Sequence, residues 1–292
     1  MLIADLSDST KARYLSVISR YLTFLDIYEG IYDAGTASYK EIRDFLGFLE
    51  HGDGHGNGGT CNGNTLKQFA SIFDFFYTYV LGKPFDRRQY PRFHYTKYLP
   101  FIPTREEVIE FINRISNLKL KAYVSLLYSA AMRSDEVQNL FCRDIVHSKG
   151  YILIEEAKNR SQRTAYLSSN AYLVLVEYVK NELIPKGLSG KDRHLFPSAW
   201  KKYQDTRPVC DGWADSQIAK QEKLQGLPHR FTCHVFRRAC ACHIAGEHPD
   251  DPRMLFILAD YLGHNSLEST RHYLVNGQVC NGNPLFFSPF DS

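Results

Sequence analysis

Apolar residues recur at intervals of three and four along residues 9–28, where Tyr14, Val17, Ile18, Tyr21, Leu22 and Leu25 form one stripe. That period places side chains on a single face of an α-helix, and Arg13 and Arg20 fall off the stripe. A second helix is predicted over 39–49. Residues 52–64 then hold six glycines and three asparagines, a composition that predicts a loop. Asp53 is the loop's sole carboxylate, too few oxygen ligands for a hard cation such as calcium. Helical spacing resumes over 65–80, with Phe69, Phe73, Phe76 and Tyr77 on the apolar side. Residues 1–82 therefore predict a small helical domain.

A second pattern begins at Thr104. Thr104 and Glu107 form a capping-box signature ahead of Val108, Phe111, Ile112 and Ile115. A mostly apolar helix is predicted over 122–131. Residues 151–155 and 163–167 are rich in β-branched and aromatic residues and flank the polar run Lys158-Asn-Arg-Ser-Gln, which predicts a hairpin with a polar tip. Further helices are predicted over 170–184, 234–245 and 254–262. The expected fold class is mainly α: a helical N-terminal domain, and a mixed α-helical domain over 99–292 with a small antiparallel β-sheet. No internal repeat is evident.

Composition narrows the class without fixing it. A chain of 292 residues is long enough for two domains. With 44% hydrophobic and 23% charged residues it reads as an ordinary globular protein, which excludes disordered and collagen-like chains. Its longest apolar stretches, such as 151–154 and 173–176, are far too short to span a bilayer. The first residues lack a basic segment followed by an apolar one, so the expected location is cytoplasmic and no membrane partner is expected. Seven cysteines, an odd number in a long chain, predict reduced thiols. Cys233, His234, Cys240, Cys242 and His243 invite a zinc reading, but Cys-x-Cys-His lacks the usual two-residue gap. The alanines around it favour a packed helix in which cysteine is a small core residue.

Charge placement is more informative than its sum. The net +3 divides into −4 over 1–82, +4 over 83–98 and +3 over 99–292. The middle segment carries Lys83, Arg87, Arg88, Arg92 and Lys97 against Asp86 alone, interleaved with Phe85, Tyr90, Phe93, Tyr95 and Tyr98. Pro84 and Pro91 predict an extended chain. The segment reads either as a solvated connector or as a strap along a nucleic-acid backbone, where cations displace counterions.

Polar groups with chemical potential emerge where apolar helices end. Arg133 follows Ser129-Ala-Ala-Met, His234 and Arg237 are three apart, His264 follows Tyr261-Leu-Gly, and Tyr273 comes nine residues later. The segment Tyr128-Ser-Ala-Ala-Met-Arg-Ser-Asp-Glu resembles the box of the tyrosine recombinase (phage integrase) family that holds its first catalytic arginine. Arg133 and Glu136 fall on the matching positions. His234-Val-Phe-Arg resembles the family's His-x-x-Arg box, and Leu262-Gly-His through Tyr273 resembles its Leu-Gly-His…Tyr box. Lys158 stands in the hairpin where the family keeps a catalytic lysine, followed by Arg163-Thr-Ala-Tyr-Leu in place of the usual Arg-x-x-Pro-Leu. The boxes occur in family order across residues 100–275. Arg238 stands where a histidine is usual, Met132 where a leucine is usual, and a cysteine-rich stretch replaces a Thr/Ala-rich one.

The resemblance implies a core-binding (SAM-like) DNA-binding domain over 1–82, a basic linker over 83–98 with DNA contacts from Lys83, Arg87, Arg88, Arg92 and Lys97, and a catalytic domain over 99–292. It implies a site-specific recombinase that joins DNA to Tyr273 through a 3′-phosphotyrosyl link, passes through a Holliday junction and works as a homo-tetramer on double-stranded DNA. The two domains would close around the duplex. Arg133 and Arg237 would clamp the non-bridging oxygens, His234 would accept the tyrosine proton, Lys158 would protonate the leaving 5′-hydroxyl, and His264 would donate to a phosphate oxygen. Glu136 would orient its neighbours. Guanidiniums suit the clamp because they stay charged and bind oxyanions bidentately. With protein cations neutralising the phosphate, no metal or other cofactor is expected. The C-terminal segment with Leu285, Phe286, Phe287 and Phe290 would dock in trans on a neighbouring protomer. A type IB topoisomerase, a telomere resolvase, or a catalytically silent DNA-binding regulator are the alternatives.

Overall fold

The structure is a computed structural model, and it describes residues 6–52, 59, 61–93, 101–146, 151–154, 163–203, 206–227, 231–248 and 251–275. Lys97, Lys158 and residues 284–292 lie outside the described residues. The chain divides into two units, Met1–Tyr98 and Leu99–Ser292.

The first unit is built from α1 (Asp8–Phe24), α2 (Tyr39–His51) and α3 (Gly63–Phe75). Helices α1 and α3 each run on for five residues as a wider π-turn, to Glu29 and Val80. Side chains cap all three N-termini. Ser7 accepts from the Thr10 amide, Ser38 and Glu41 form a capping box, and Asn62 accepts from the Thr65 amide. Helix α3 thus starts at Gly63, two residues before the predicted start, with the Asn62 side chain accepting from the Thr65 amide in its first turn. The core is aromatic. Tyr21 meets Phe73 edge-on at 5.0 Å and shares a 3.0 Å hydroxyl pair with Tyr77. That pairing answers the polar end of each buried ring.

The start of the basic segment belongs to this unit. Residues 86–90 fold into a turn, which corrects the expectation of a uniformly extended chain. Tyr90 is buried in the aromatic core and donates to the Leu66 carbonyl at 2.7 Å, with Phe85 and Phe93 packed beside it. Arg87 pairs with Asp74 at 2.8 Å, Arg88 with Asp86 at 3.0 Å, and Lys83 donates to the Gly35 carbonyl. Arg92 is exposed. Apolar burial of the interleaved aromatics outweighs the extended preference of the prolines.

The second unit contains α4 (Arg105–Asn113), α5 (Leu118–Ser129), α6 (Ser134–Asn139), β1 (Ile145–Val146), β2 (Tyr151–Ile154), β3 (Arg163–Tyr166), α7 (Ser169–Tyr178), α8 (Trp213–Gln225), α9 (Cys233–Glu247), α10 (Met254–Leu262) and α11 (Leu267–Val275). It is mainly helical with a small antiparallel sheet, as its sequence predicts. Thr104 and Glu107 make the predicted capping box. Helix α5 runs through the core against α7 and α9, and residues 122–127 are all buried. A helix enclosed on every side has no polar stripe, which is why its sequence reads as apolar rather than amphipathic. The sheet has the order β1-β2-β3, one strand more than the predicted hairpin. Two residues, Ile145 and Val146, are too short a run to register as a strand in sequence.

The cysteine-rich stretch lies in α9. Cys240, Ala241 and Ala245 pack with Ala131, Met254, Leu258 and Leu262 in a satellite core beneath α10. His243 spans Tyr128 and the Pro103 carbonyl, with its Nδ1 2.8 Å from the phenol oxygen and its Nε2 3.0 Å from the carbonyl. These contacts give the segment a packing role. No described helix is long and apolar enough to cross a membrane.

Candidate active site

Four segments far apart in sequence converge where α5 ends, β3 begins, α9 passes and α10 turns into α11. Arg133 is the N-cap residue of α6, and Glu136 lies three residues on, in the first turn. That spacing folds the Glu136 carboxylate back over the N-cap, where Oε2 accepts from the Arg133 amide at 2.7 Å. Oε1 accepts from Arg133 Nη1 at 2.9 Å. The same carboxylate accepts from Arg163 Nη2 at 2.7 Å and lies 3.8 Å from Arg237 Nη1. Three guanidiniums therefore surround one carboxylate, a local charge of +2 before the histidines are counted.

Glu136, Arg163 and Arg237 keep only 3%, 7% and 2% of their side chains exposed, whereas Arg133 keeps 24%. Burial alone would raise the pKa of Glu136. Arg163, Arg133 and Arg237 outweigh it and hold the carboxyl below its ordinary value. A buried carboxylate among guanidiniums stays charged and fixes where they point.

Arg237 spans two chain reversals. Its Nη1 donates to the Ala131 carbonyl and its Nη2 to the Leu262 carbonyl at 2.5 Å. Ala131 has φ 46°, a left-handed conformation rarely adopted by a residue with a side chain, at the bend that delivers Arg133. Arg133 Nη2 donates to the Gly263 carbonyl at 3.1 Å, so both arginines hold the turn that carries His264. His264 Nε2 stands 3.4 Å from Arg237 Nη2, and its Nδ1 stands 2.9 Å from Thr270 Oγ1 on α11. A guanidinium only donates, so this arrangement suits a neutral ring that accepts at Nε2 and donates from Nδ1 to Thr270.

Both histidines are held neutral. Partial burial, then Arg237, Arg133 and Arg163, push the pKa of His264 down to about 4. His234 lies in the first turn of α9, and its pKa is lowered by desolvation and by Arg238 and Arg237.

The His264 shift has a measurable sign. Its folded pKa is below the unfolded value, so the unfolded state binds more protons and stability rises with pH between about 4 and about 6.5. An anion such as a phosphodiester, if placed at the arginines, would offset their field and lift His264 toward its ordinary value. In an NMR titration, the His264 resonance is expected to move to higher pKa when duplex DNA is added. An unmoved resonance would place the phosphate elsewhere.

Of the residues singled out in sequence, Arg133, Glu136, Arg237 and His264 meet directly. His234 lies one turn before Arg237 on the same helix. Tyr273 lies on α11, three residues after Thr270, and nothing beyond its backbone position is described. Lys158 is outside the described residues. Lys83, Arg87, Arg88 and Arg92 belong to the first unit. The sequence assigns Arg163 to the family's Arg-x-x-Pro-Leu position without giving it a role, and it gives no role to Thr270 or the Ala131 bend. For Arg163 a signal was available. It stands in the predicted return strand two residues before the apolar Ala165, so strand alternation puts both on one face, and that face is the buried one.

Known proteins share both the sequence pattern and the fold. A tyrosine recombinase of Thermosipho africanus is 25% identical over 279 residues, covering 92% of this chain and 89% of the relative. The crystal structure of the XerH site-specific recombinase bound to its difH substrate superposes with a TM-score of 0.64 at 19% identity, covering 89% of this chain and 74% of that one. A lambda integrase dimer bound to a COC′ core site superposes with a TM-score of 0.64 at 18% identity, covering 92% and 89%. The pattern of the phage integrase family matches residues 104–278, the part of the chain that holds the whole arginine cluster, and the chain belongs to that family of tyrosine recombinases.

Proposed function

We propose that the protein is a site-specific DNA recombinase that cuts and rejoins double-stranded DNA through a covalent link to Tyr273. The observation that carries this reading is the +2 cluster of Arg133, Arg163 and Arg237 around Glu136, fixed before any substrate arrives. Attack on a phosphodiester builds negative charge on the non-bridging oxygens, and preorganised donors stabilise that charge without reorganising during the reaction. Arg133 is the most exposed of the three and meets those oxygens first. Arg237 adds a second charge from beneath, in a protein interior where Coulomb forces are weakly screened.

Each step then has a group suited to it. Tyr273 is the nucleophile, and its phenol must lose a proton near neutral pH. His234, held neutral by its surroundings, accepts that proton. Lys158 protonates the departing 5′-hydroxyl. For His264 to donate to a phosphate oxygen from Nε2, the Thr270 hydroxyl reverses and donates to Nδ1, which a hydroxyl can do. No step needs a metal ion, since guanidiniums supply the charge. Strand exchange between two cut duplexes passes through a Holliday junction on a homo-tetramer acting on DNA in the cytoplasm, with residues 284–292 docking in trans. Cations of the 83–98 segment, above all exposed Arg92, add sequence-independent phosphate contacts.

The test is a nicked suicide duplex carrying the native target end. Wild type is expected to form an adduct stable to denaturation that maps to the peptide containing Tyr273, and Tyr273→Phe to form none. Absence of the adduct in wild type, or its persistence in Tyr273→Phe, would reject the mechanism.

A further inference from the structure

Arg163 is the first residue of β3 and pairs in register with Ile154, the last residue of β2, at the mouth of the hairpin whose tip carries Lys158 in sequence. Its guanidinium is a fork between two other segments. Nη2 donates to Glu136 Oε2 at 2.7 Å and Nη1 to the Tyr261 carbonyl at 2.8 Å. The carboxylate it binds is the one that holds Arg133, and the carbonyl belongs to the end of α10, just before the Gly263-His264 turn.

The fit against that turn is close. A Cβ built on Gly263 would lie 2.7 Å from Arg163 Cδ and 3.2 Å from its Nε, with Arg133 Nη1 at 3.9 Å. Gly263 also has φ +61°, a conformation that disfavours any side chain. The glycine before His264 is thus required twice, once by the backbone and once by the Arg163 side chain packed against it.

We infer that Arg163 is a positioning residue of the strand-cleavage site, locking the return strand of the hairpin to the Glu136 carboxylate and to the Gly263-His264 turn so that the arginine pair, His264 and the hairpin are set as one unit. The inference rests on the recombinase reading above. A lysine at 163 keeps the charge but has a single ammonium in place of the planar fork, so it cannot hold Glu136 and the Tyr261 carbonyl together in the same geometry. Small losses of alignment in such a site are costly to rate and nearly neutral to duplex binding, which is spread over many phosphates.

The experiment compares wild type, Arg163→Lys and Arg163→Gln on the nicked suicide duplex in single-turnover cleavage. Duplex binding, near-ultraviolet circular dichroism and the His264 NMR titration accompany it. Both variants are expected to bind the duplex within about threefold of wild type and to cleave it roughly tenfold to a hundredfold more slowly. Arg163→Gln is expected to raise the pKa of His264, because Arg163 is one of the charges that depress it, while Arg163→Lys leaves it low. Cleavage by both variants at close to the wild-type rate would overturn the inference. So would a loss of cleavage that only tracks loss of binding or of folded protein, or a His264 titration unmoved in Arg163→Gln. If Arg163→Gln loses its folded signal, the rate of Arg163→Lys decides. A wild type that forms no adduct overturns the recombinase reading itself, whereas normal wild-type cleavage with unaffected variants overturns only the role of Arg163.

Discussion

Glu136→Gln is expected to lower the stability of the second unit by about 3–5 kcal/mol, the range seen when one partner of a buried ion pair is removed. The amide keeps the size of the carboxylate but not its charge, and leaves Arg133, Arg163 and Arg237 facing one another with no negative charge between them. It also presents an NH₂ group where the carboxylate had only acceptors, so one of the present hydrogen bonds is lost outright. Urea unfolding of both proteins at pH 7 measures the difference. Its pH dependence identifies the cause. The folded pKa of Glu136 is depressed, so its contribution is fully present above the unfolded value near 4.3 and is lost as pH falls through the folded value. The gap between the two proteins is therefore expected to close on acidification. A gap that stays constant with pH would assign the loss to packing. Cleavage should fall at pH 7 even where the variant remains folded, since the guanidiniums lose their common reference point.

Arg237→Lys is expected to reduce single-turnover cleavage by about two to three orders of magnitude, the loss found when one preorganised donor to a developing oxyanion is removed. Charge is conserved in this substitution, so what it removes is the fork. In the native protein Arg237 is 1% exposed and ties the Ala131 carbonyl to the Leu262 carbonyl across two turns. A lysine ammonium is a point donor on a flexible stem. It can satisfy one of those carbonyls well, and the other is left buried with a weaker partner at a cost of about 1–3 kcal/mol. Both the Ala131 bend that presents Arg133 and the Gly263-His264 turn should loosen together. The measurement is the cleavage rate set beside the urea midpoint. A rate within about tenfold of wild type would show that charge alone suffices at this position.

The arginine cluster also explains the pattern of conformational oddities around it. Ala131, in the left-handed region, accepts from one end of the Arg237 fork, and Gly263 at φ +61° follows Leu262, which accepts from the other. Sharp reversals at these points aim the carbonyl of Ala131, just past the end of α5, and that of Leu262, the last residue of α10, at one guanidinium. Strain at such bends persists only when surrounding contacts over-determine it, and Arg237 supplies them.

Much of this was legible beforehand, for reasons that differ by element. The helices α1, α2 and α4 were readable because each has one buried face and a capping residue, so periodicity and the N-terminal signature agree. Helix α8 was not picked out, because its buried residues include Gln221 and Glu222, which bury polar atoms through tertiary contacts that no pattern announces. Gln221, for example, donates to the Arg114 carbonyl at 3.2 Å. The basic segment after residue 82 was misjudged in conformation because Tyr90 looks like any aromatic in a charged run. Only its pocket beside Leu66 and Phe73 makes it a core residue.

The sequence by itself determined the class of fold, the family, and the identity of the groups available for chemistry. Those properties depend on local spacing and on side-chain type, which are written along the chain. Only the tertiary structure decided which groups act together. Arg133, Arg163, Arg237 and His264 are separated by up to 131 positions, and what joins them is a single carboxylate, four backbone carbonyls and a glycine packed close against an arginine. Backbone carbonyls exist at every residue, so sequence cannot say which ones will be aimed at a guanidinium. Burial selects them, since a guanidinium withdrawn from water must find acceptors at fixed angles, and the folded chain offers few.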